Sequence, residues 1–176
     1  MNKTVGLDIE GTLVELHKEV LKHYNQKNNT NLKKEDFDWH FNNVPMSLSE
    51  FHKISREKIW KKNELDNIPF TEKNIPSKVN KLNKKYEVNI VTGRKLKERL
   101  KKWAENIGIK YNNFHIKCSK NKTNLDYDIY IDDSPVILKN LKKDQELFLY
   151  SQPWNKQIDT SEYENVVRIE KISEII

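Results

Sequence analysis

Acidic residues follow two of the short apolar segments in this sequence. Asp8 and Glu10 come directly after residues 4–7, and the adjacent pair Asp132 and Asp133 comes after residues 128–131. A carboxylate at the end of a strand can act as a nucleophile, and a second can donate or accept a proton. Acidic residues are also ordinary in solvated turns and at helix starts. Either pair alone therefore leaves both interpretations open.

A hydroxyl and a glycine, Thr92 and Gly93, follow a third apolar segment, residues 88–91. They suit phosphate binding through a side chain and a backbone N–H, although a helix N-cap at Thr92 is a common alternative. Lys122 lies upstream of Asp132 and Asp133, whose mutual repulsion calls for a nearby cation or lysine. Carboxylate oxygens suit Mg²⁺. The four features together indicate one site more strongly than any of them alone.

Apolar periodicity predicts alternating strands and helices. Strands are expected at residues 4–7, 88–91, 128–131 and 147–150, with weaker candidates at 114–116 and 166–168. Amphipathic spacing predicts helices over residues 77–86 and 95–107. Such alternation favours an α/β fold, a parallel sheet covered on both faces. In that fold ligands bind at the edge where the strands end, which is where the acidic pairs and Thr92 are expected.

Residues 14–70 interrupt the alternation, since they contain no convincing strand. We interpret them as a small helical cap inserted after the first strand, with residues 1–13 and 71–176 forming the core. Phe37, Trp39 and Phe41 could stack on a nucleobase, but aromatic residues dominate small cores, so we expect them to form the core of the cap. His17 or His40 could contact a substrate if the cap closes.

The composition excludes several classes of protein. No apolar run in the 176 residues approaches the roughly 20 needed to span a membrane. A single cysteine, Cys118, excludes an internal disulfide and a multi-thiolate metal site. The net charge of +6 comes from scattered lysines, which favour a solvated surface over a nucleic-acid groove. We expect a soluble, cytoplasmic protein.

Taken together, these residues resemble the haloacid dehalogenase superfamily of phosphotransferases. The matching elements are Asp8-Ile9-Glu10-Gly11-Thr12, Thr92-Gly93-Arg94, Lys122 and Asp132-Asp133. Residues 122–133, a Lys-Thr before an apolar strand that ends in Ile-Asp-Asp, are similar to the 5′(3′)-deoxyribonucleotidase group. The segment Pro153-Trp154-Asn155 is similar to bacterial and phage members of that group. The cap matches only in its position and helical character.

The resemblance implies a Rossmann-like core with a cap, and a Mg²⁺-dependent phosphatase. Asp8 would attack phosphorus and become an aspartyl phosphate. Glu10 would protonate the leaving alcohol and then activate the hydrolytic water. The implied substrate is a small phosphorylated molecule, and the nucleotidase group points to a nucleoside monophosphate.

The resemblance also implies which residues hold the phosphate and the metal. Thr92 and the Gly93 N–H would hold phosphate oxygens, while Lys122 would neutralise the phosphoryl group. The implied Mg²⁺ ligands are Asp8, the backbone carbonyl of Glu10, Asp133 and, as a ligand or an orienting neighbour, Asp132.

Glu10 departs from the superfamily pattern, because most of these phosphatases have Asp at its position. Glutamate is one methylene longer and must reach the leaving group by a different rotamer. The pattern Asp-Ile-Glu-Gly-Thr is nevertheless similar to that of the enolase-phosphatases, which are active. If Glu10 is the acid and base, Glu10→Asp is expected to preserve or raise activity. A large loss would mean that the site is built around the longer side chain.

Three alternatives stay open. A phosphatase for another small ester or for a polynucleotide would be favoured if Lys33, Lys34, Lys61 and Lys62 line an open cleft. A non-catalytic phosphate-binding domain with the same fold is the second, and a nucleic-acid-binding protein is the third. Exposed aromatics on a helical cap would also allow a homodimer.

Overall fold

A six-stranded sheet forms the centre of the protein in the computed structural model, which describes residues 2–60 and 64–176. The strands are β1 Thr4–Leu7, β2 Glu87–Thr92, β3 Phe114–Ile116, β4 Ile129–Asp132, β5 Glu146–Tyr150 and β6 Val166–Ile169. Every neighbouring pair is parallel. The predicted strands are confirmed, and each end differs by at most one residue. Within the described residues, no helix has both the length and the apolar character needed to cross a membrane.

The strand order, β3-β2-β1-β4-β5-β6, puts β1 between β2 and β4. The chain builds outward in one direction from β1 to β3 and then returns to continue from β4 on the other side. This reversal leaves a crevice at the carboxyl ends of β1 and β4, the usual ligand site of open α/β sheets. Gly6 of β1 lies under the ring of Tyr130, because an added Cβ would be 2.8 Å from the ring's Cε1 atom. The all-parallel sheet and its strand order confirm the predicted Rossmann-like α/β fold.

Helical segments cover both faces of the sheet, but they differ in kind. The core helices Ile75–Lys85 and Lys97–Asn106 pack into the apolar cluster that contains Leu7 and Ile131. The other face, marked by Tyr130, carries the short 3-10 helices Ser119–Leu125 and Leu138–Asn140. Between β4 and β5 the described helical structure is a single 3-10 turn, Leu138–Asn140. This connection, residues 133–145, is close to the dozen or so residues that a parallel crossover needs, so little length remains for a helix.

Between β1 and β2 the chain forms two further α-helices, which we call α1, Leu16–Asn28, and α2, Leu48–Ile54. Helix α2 continues as a turn of π-helix, Ser55–Trp60. Ser47 starts α2 with a capping box, since its hydroxyl accepts from the Glu50 N–H at 3.2 Å. An antiparallel bridge between Val14 and Phe70 joins the two ends of the predicted cap. The division into core and cap itself stays a prediction.

Candidate active site

A cavity of about 340 Å³ lies between the carboxyl edge of the sheet and the cap helices. The core contributes Asp8, Glu10, Gly93, Arg94, Ser119, Lys122, Asp133, Ser134 and Trp154 to its lining. The cap contributes Leu16, His17, Asp38, Trp39, His40, Phe41, Leu48, Phe51 and His52. The residues predicted from separate strand ends therefore meet in one place, and helices and aromatic side chains face them.

Buried charges form the floor of the cavity. One oxygen each of Asp8, Asp132 and Asp133 lies within 4.8 Å of the others, and all three residues are buried. The Nζ atom of Lys122 lies 2.7 Å from Asp8 Oδ1 and 2.6 Å from Asp132 Oδ2. The Tyr130 hydroxyl donates to the Lys122 carbonyl at 3.0 Å and so fixes the 3-10 helix that carries the lysine. Asp8, Asp133 and Lys122 line the cavity, and Asp132 joins them through its ion pair with Lys122, so three carboxylates cluster with one ammonium group.

Burial shifts the ionisation of these groups. It raises the pKa of Asp8 to about 8, against the opposing charge of Lys122 and with the added repulsion of Asp132. Burial and the Asp8 charge also raise the pKa of Asp133 well above its usual range. Burial alone would lower the pKa of Lys122, but Asp132 and Asp8 outweigh it and keep the lysine cationic. A further cation near the carboxylates would stabilise their ionised forms.

The chemistry of this donor set fits a divalent cation such as Mg²⁺. The possible ligands are all oxygens, which hard cations prefer. Three ionised carboxylates and one lysine leave two negative charges uncompensated, and a divalent ion would balance them. Asp132 has less freedom than the others, because it accepts from Lys122 and, at 2.8 Å, from the Ser134 N–H. Asp8 and Asp133 are accordingly the stronger candidate ligands.

Asp133 is oriented by the segment that follows β5. The Trp154 indole N–H donates to Asp133 Oδ2 at 2.8 Å, and the Asn155 amide donates to the Asp133 carbonyl at 2.8 Å. The backbone of Gly11 also packs directly against the Asp133 carboxylate, because a Cβ at this position would collide with it. The φ of 83° at Gly11 favours glycine as well. The segment Pro153-Trp154-Asn155 thus contacts the site, a role that sequence analysis left unassigned.

Glu10 turns its carboxylate toward the end of β2. Thr92 Oγ1 donates to Glu10 Oε2 at 3.0 Å, and Arg94 Nε donates to Glu10 Oε1 at 3.0 Å. Thr92 is fully buried and lies behind Glu10, whereas Gly93 lines the cavity. The structure therefore places the Thr92 hydroxyl against Glu10. Of the two residues predicted to contact phosphate, Gly93 is the one that is exposed to the cavity.

Aromatic residues form the cap side of the cavity. His17 stacks on Trp154 with ring centroids 4.0 Å apart and lies 4.5 Å from the Phe51 ring. Burial, with Lys34 and Arg94 nearby, lowers the pKa of His17 to about 3, so the ring is neutral. Of the three aromatics discussed from the sequence, Phe37 is buried in the core, while Trp39 and Phe41 line the cavity.

Two of the four lysines that could have lined an open cleft lie within the described residues. Lys33 is exposed, and Lys34 pairs with Glu15 at 2.7 Å. Neither of these two lines the cavity. Lys61 and Lys62 lie outside the described residues.

Arg94 and His52 also line the cavity, although neither was predicted to be a site residue. Arg94 directly follows the Thr92-Gly93 pair, so the strand-end rule could have been extended to it. His52 had no comparable signal, because its position depends on how the cap helix packs against the core.

A family model described as "5′ nucleotidase, deoxy (Pyrimidine), cytosolic type C protein" matches residues 2–174. Comparison with curated proteins gives no match.

Solved structures with the same fold have low sequence identity to this chain. The haloacid dehalogenase-like protein SP0104 from Streptococcus pneumoniae superposes with a TM-score of 0.67 at 12% identity, over 99% of this chain and 96% of that one. CbbY from Rhodobacter sphaeroides, in complex with phosphate, gives 0.59 at 13% identity, again over 99% and 96%. YfnB from Bacillus subtilis, bound to magnesium, gives 0.57 at 13% over the same shares.

Proposed function

This chain belongs to the family of deoxy (pyrimidine), cytosolic type C 5′-nucleotidases, which are phosphatases with the haloacid dehalogenase fold, and we propose that it hydrolyses nucleoside monophosphates through an aspartyl phosphate on Asp8. One observation carries this proposal. Asp8 lies on the cavity floor at the end of β1, 2.7 Å from the buried Lys122. A carboxylate so placed can attack a phosphorus atom above it, while the ammonium group neutralises charge that the phosphate brings.

Glu10 is the proposed acid and base. It lines the same cavity two residues after Asp8, and its side chain is 15% exposed. In its protonated form, Glu10 would pass its carboxyl proton to the leaving alcohol as the P–O bond breaks. The resulting carboxylate would then take a proton from the water that hydrolyses the aspartyl phosphate.

Mg²⁺ is the proposed cofactor, held by Asp8 and Asp133 with Asp132 and the Glu10 carbonyl as further candidates. When bound, the ion would neutralise phosphate charge and orient the phosphoryl group. The buried, oxygen-only donor set supports this choice, as does a magnesium-bound relative with the same fold. Gly93 is proposed to hold phosphate through its N–H, and Lys122 through its ammonium group; Thr92 would do so only after releasing Glu10.

The size of the cavity supports a small substrate. Its volume of about 340 Å³ lies at the low end of the roughly 300–1,000 Å³ of small-molecule sites. Aromatic rings on the cap side suit a nucleobase, and the family description names deoxy and pyrimidine compounds. A polynucleotide is disfavoured, because neither described lysine of the proposed cleft faces the cavity. We also propose a cytoplasmic location, following the family description, while a homodimer stays a prediction.

Phosphate release tests the proposal. The panel contains thymidine, deoxyuridine and deoxyadenosine 5′-monophosphates, thymidine 3′-monophosphate, uridine 5′-monophosphate, a sugar phosphate and a 3′-phosphorylated oligonucleotide, each with Mg²⁺ and with EDTA. We expect Mg²⁺-dependent release from mononucleotides and none from the oligonucleotide. Unchanged rates in EDTA would contradict the metal assignment. Nucleotide binding without phosphate release would favour a non-catalytic domain.

A further inference from the structure

Arg94 connects the core to the cap at the edge of the cavity. Its Nε atom donates to Glu10 Oε1 at 3.0 Å, and its Nη1 atom lies 3.3 Å from Nδ1 of His52 on α2. Its guanidinium carbon lies 5.9 Å from the ring centroid of Trp60. One side chain thus contacts the proposed acid and base on one side and two cap residues on the other.

One cap partner of Arg94, the Trp60 ring, is itself held by a hydrogen bond. The Trp60 indole N–H donates to the buried Ser55 hydroxyl at 2.6 Å, which holds the ring. The guanidinium group has only donors, so Nδ1 of His52 must accept and the proton of its neutral ring lies on Nε2. The position of the guanidinium group therefore depends on how the cap lies on the core.

Glu10 depends on Arg94 in turn. Thr92 holds one carboxylate oxygen and Arg94 the other, and the Thr92 hydroxyl also accepts from the Arg94 N–H at 3.1 Å. The ion pair is partly shielded, with side chains 22% and 15% exposed. Such charge-assisted contacts fix direction as well as distance. Without the arginine, the longer glutamate side chain has several rotamers open to it.

We infer that Arg94 is a positioning residue: it holds the Glu10 carboxylate in the direction needed for proton transfer, and His52 and Trp60 let it do so only when the cap is docked. This inference rests on the proposed function, because it assigns Glu10 as acid and base. It goes beyond that function by making proton transfer depend on a contact between cap and core.

Two substrates that differ in their need for a general acid distinguish the positioning of Glu10 by Arg94 from a direct role of Arg94 in substrate binding. Thymidine 5′-monophosphate loses an alkoxide and needs a proton, whereas p-nitrophenyl phosphate loses a stable phenolate and does not. Because kcat/KM covers steps up to the first phosphoryl transfer, Arg94→Gln should lower it by about 10–100-fold for the nucleotide, since a misplacement of about 1 Å costs roughly a hundredfold. For the aryl phosphate kcat/KM should hardly change, and a burst of phenolate should precede slow turnover.

Conservative variants and a matched control sharpen the experiment. Arg94→Lys should restore part of the nucleotide activity. His52→Leu should show the Arg94→Gln pattern in a weaker form, whereas His52→Asn should preserve wild-type behaviour. Lys53→Ala, an exposed neighbour on α2, should act as wild type. Thermal unfolding of each variant checks folding. In a Glu10→Gln background, Arg94→Gln should cause no further loss of kcat/KM for the nucleotide.

Several results would overturn the inference. Equal losses for both substrates, or a change in KM alone, would make Arg94 a substrate-binding residue. Additive losses in the double variant would separate Arg94 from Glu10. Wild-type behaviour of His52→Leu would remove the dependence on the cap. Wild-type protein that releases phosphate from neither substrate would refute the proposed function and this inference together, an outcome distinct from the other three.

Discussion

Lys122 contacts carboxylates from two neighbouring strands, and all three side chains are buried. Removing one partner of such a cluster leaves a buried charge unpaired, at a cost of about 3–5 kcal/mol. The lysine therefore both stabilises the sheet edge and supplies the positive charge that an arriving phosphate meets. Because one lysine pairs with two carboxylates, the site holds several acidic residues without a separate basic side chain for each.

Glu10→Asp tests the length of the acid. The carboxylate of the shorter side chain would lie one methylene further from both Thr92 and Arg94, so we expect a large loss of activity. Roughly a hundredfold in kcat/KM for thymidine 5′-monophosphate is the expected size, given what a misplacement of about 1 Å costs. Glu164→Asp, at an exposed position, is the control. Full activity of Glu10→Asp would mean that the two contacts of Glu10 are not needed.

Trp154→Phe tests the orientation of Asp133. The variant keeps an aromatic ring beside His17 but loses the hydrogen bond to Asp133. Partners that orient metal ligands are typically worth about 10–100-fold in metal affinity or activity. We expect the Mg²⁺ concentration for half-maximal activity to rise by a factor in that range, with little change in fold. Trp103→Phe, in the core away from the cavity, should leave the Mg²⁺ concentration for half-maximal activity unchanged.

Much of the site could be predicted from single residues. Asp8, Lys122, Asp132 and Asp133 meet because each follows or precedes an apolar strand of one parallel sheet. The contacts of Thr92 could not be predicted, since they depend on the rotamer of Glu10.

At the scale of elements, the loop after β1 has to pass close to the loop after β4. Gly11 allows this approach, because its φ of 83° favours glycine and a Cβ would collide with Asp133. Helix α2 lies across the cavity from the carboxyl edge of the sheet and places His52 beside Arg94. The site is thus assembled from turns whose backbones, as well as side chains, must fit.

Gly11→Ala tests this fit. Gly108→Ala is a matched control, because Gly108 has a φ of 79° and open space around its Cβ position. The control should lose about 1–2 kcal/mol of unfolding free energy, the cost of a left-handed residue. Gly11→Ala should lose more in urea unfolding and should also bind Mg²⁺ more weakly. Equal losses with unchanged metal binding would show that the Asp133 contact does not matter.

The strands were predictable because alternation of apolar runs and turns specifies a parallel sheet. The 3-10 helices of the second face were not, since their form depends on the length of the connections. The docking of α2 was not predictable either, because it depends on side chains far apart in the chain.

For the whole molecule, the buried carboxylates couple stability to pH. Burial raises the pKa of Asp8 from 3.8 to about 8, so between these values the folded protein binds more protons than the unfolded chain. Its contribution to stability therefore falls as pH rises across this range. The Tm of metal-free protein should decline more steeply there than that of Asp8→Asn. Mg²⁺ binds ionised carboxylates and should raise the Tm most at the alkaline end of the range. Parallel pH profiles for the two proteins would contradict this coupling.

The nucleophilic role of Asp8 is the central claim, and trapping the aspartyl phosphate tests it most directly. In Glu10→Gln, p-nitrophenyl phosphate should still phosphorylate Asp8, but hydrolysis lacks its base, so the intermediate should accumulate. Mass spectrometry of acid-quenched, digested protein is expected to find one phosphoryl group on the peptide containing Asp8. The same group should appear with Asp144→Asn added, at an exposed aspartate, and be absent with Asp8→Asn added. Phosphate release by the wild type with no phosphoryl group on Asp8 in the trap would contradict the account.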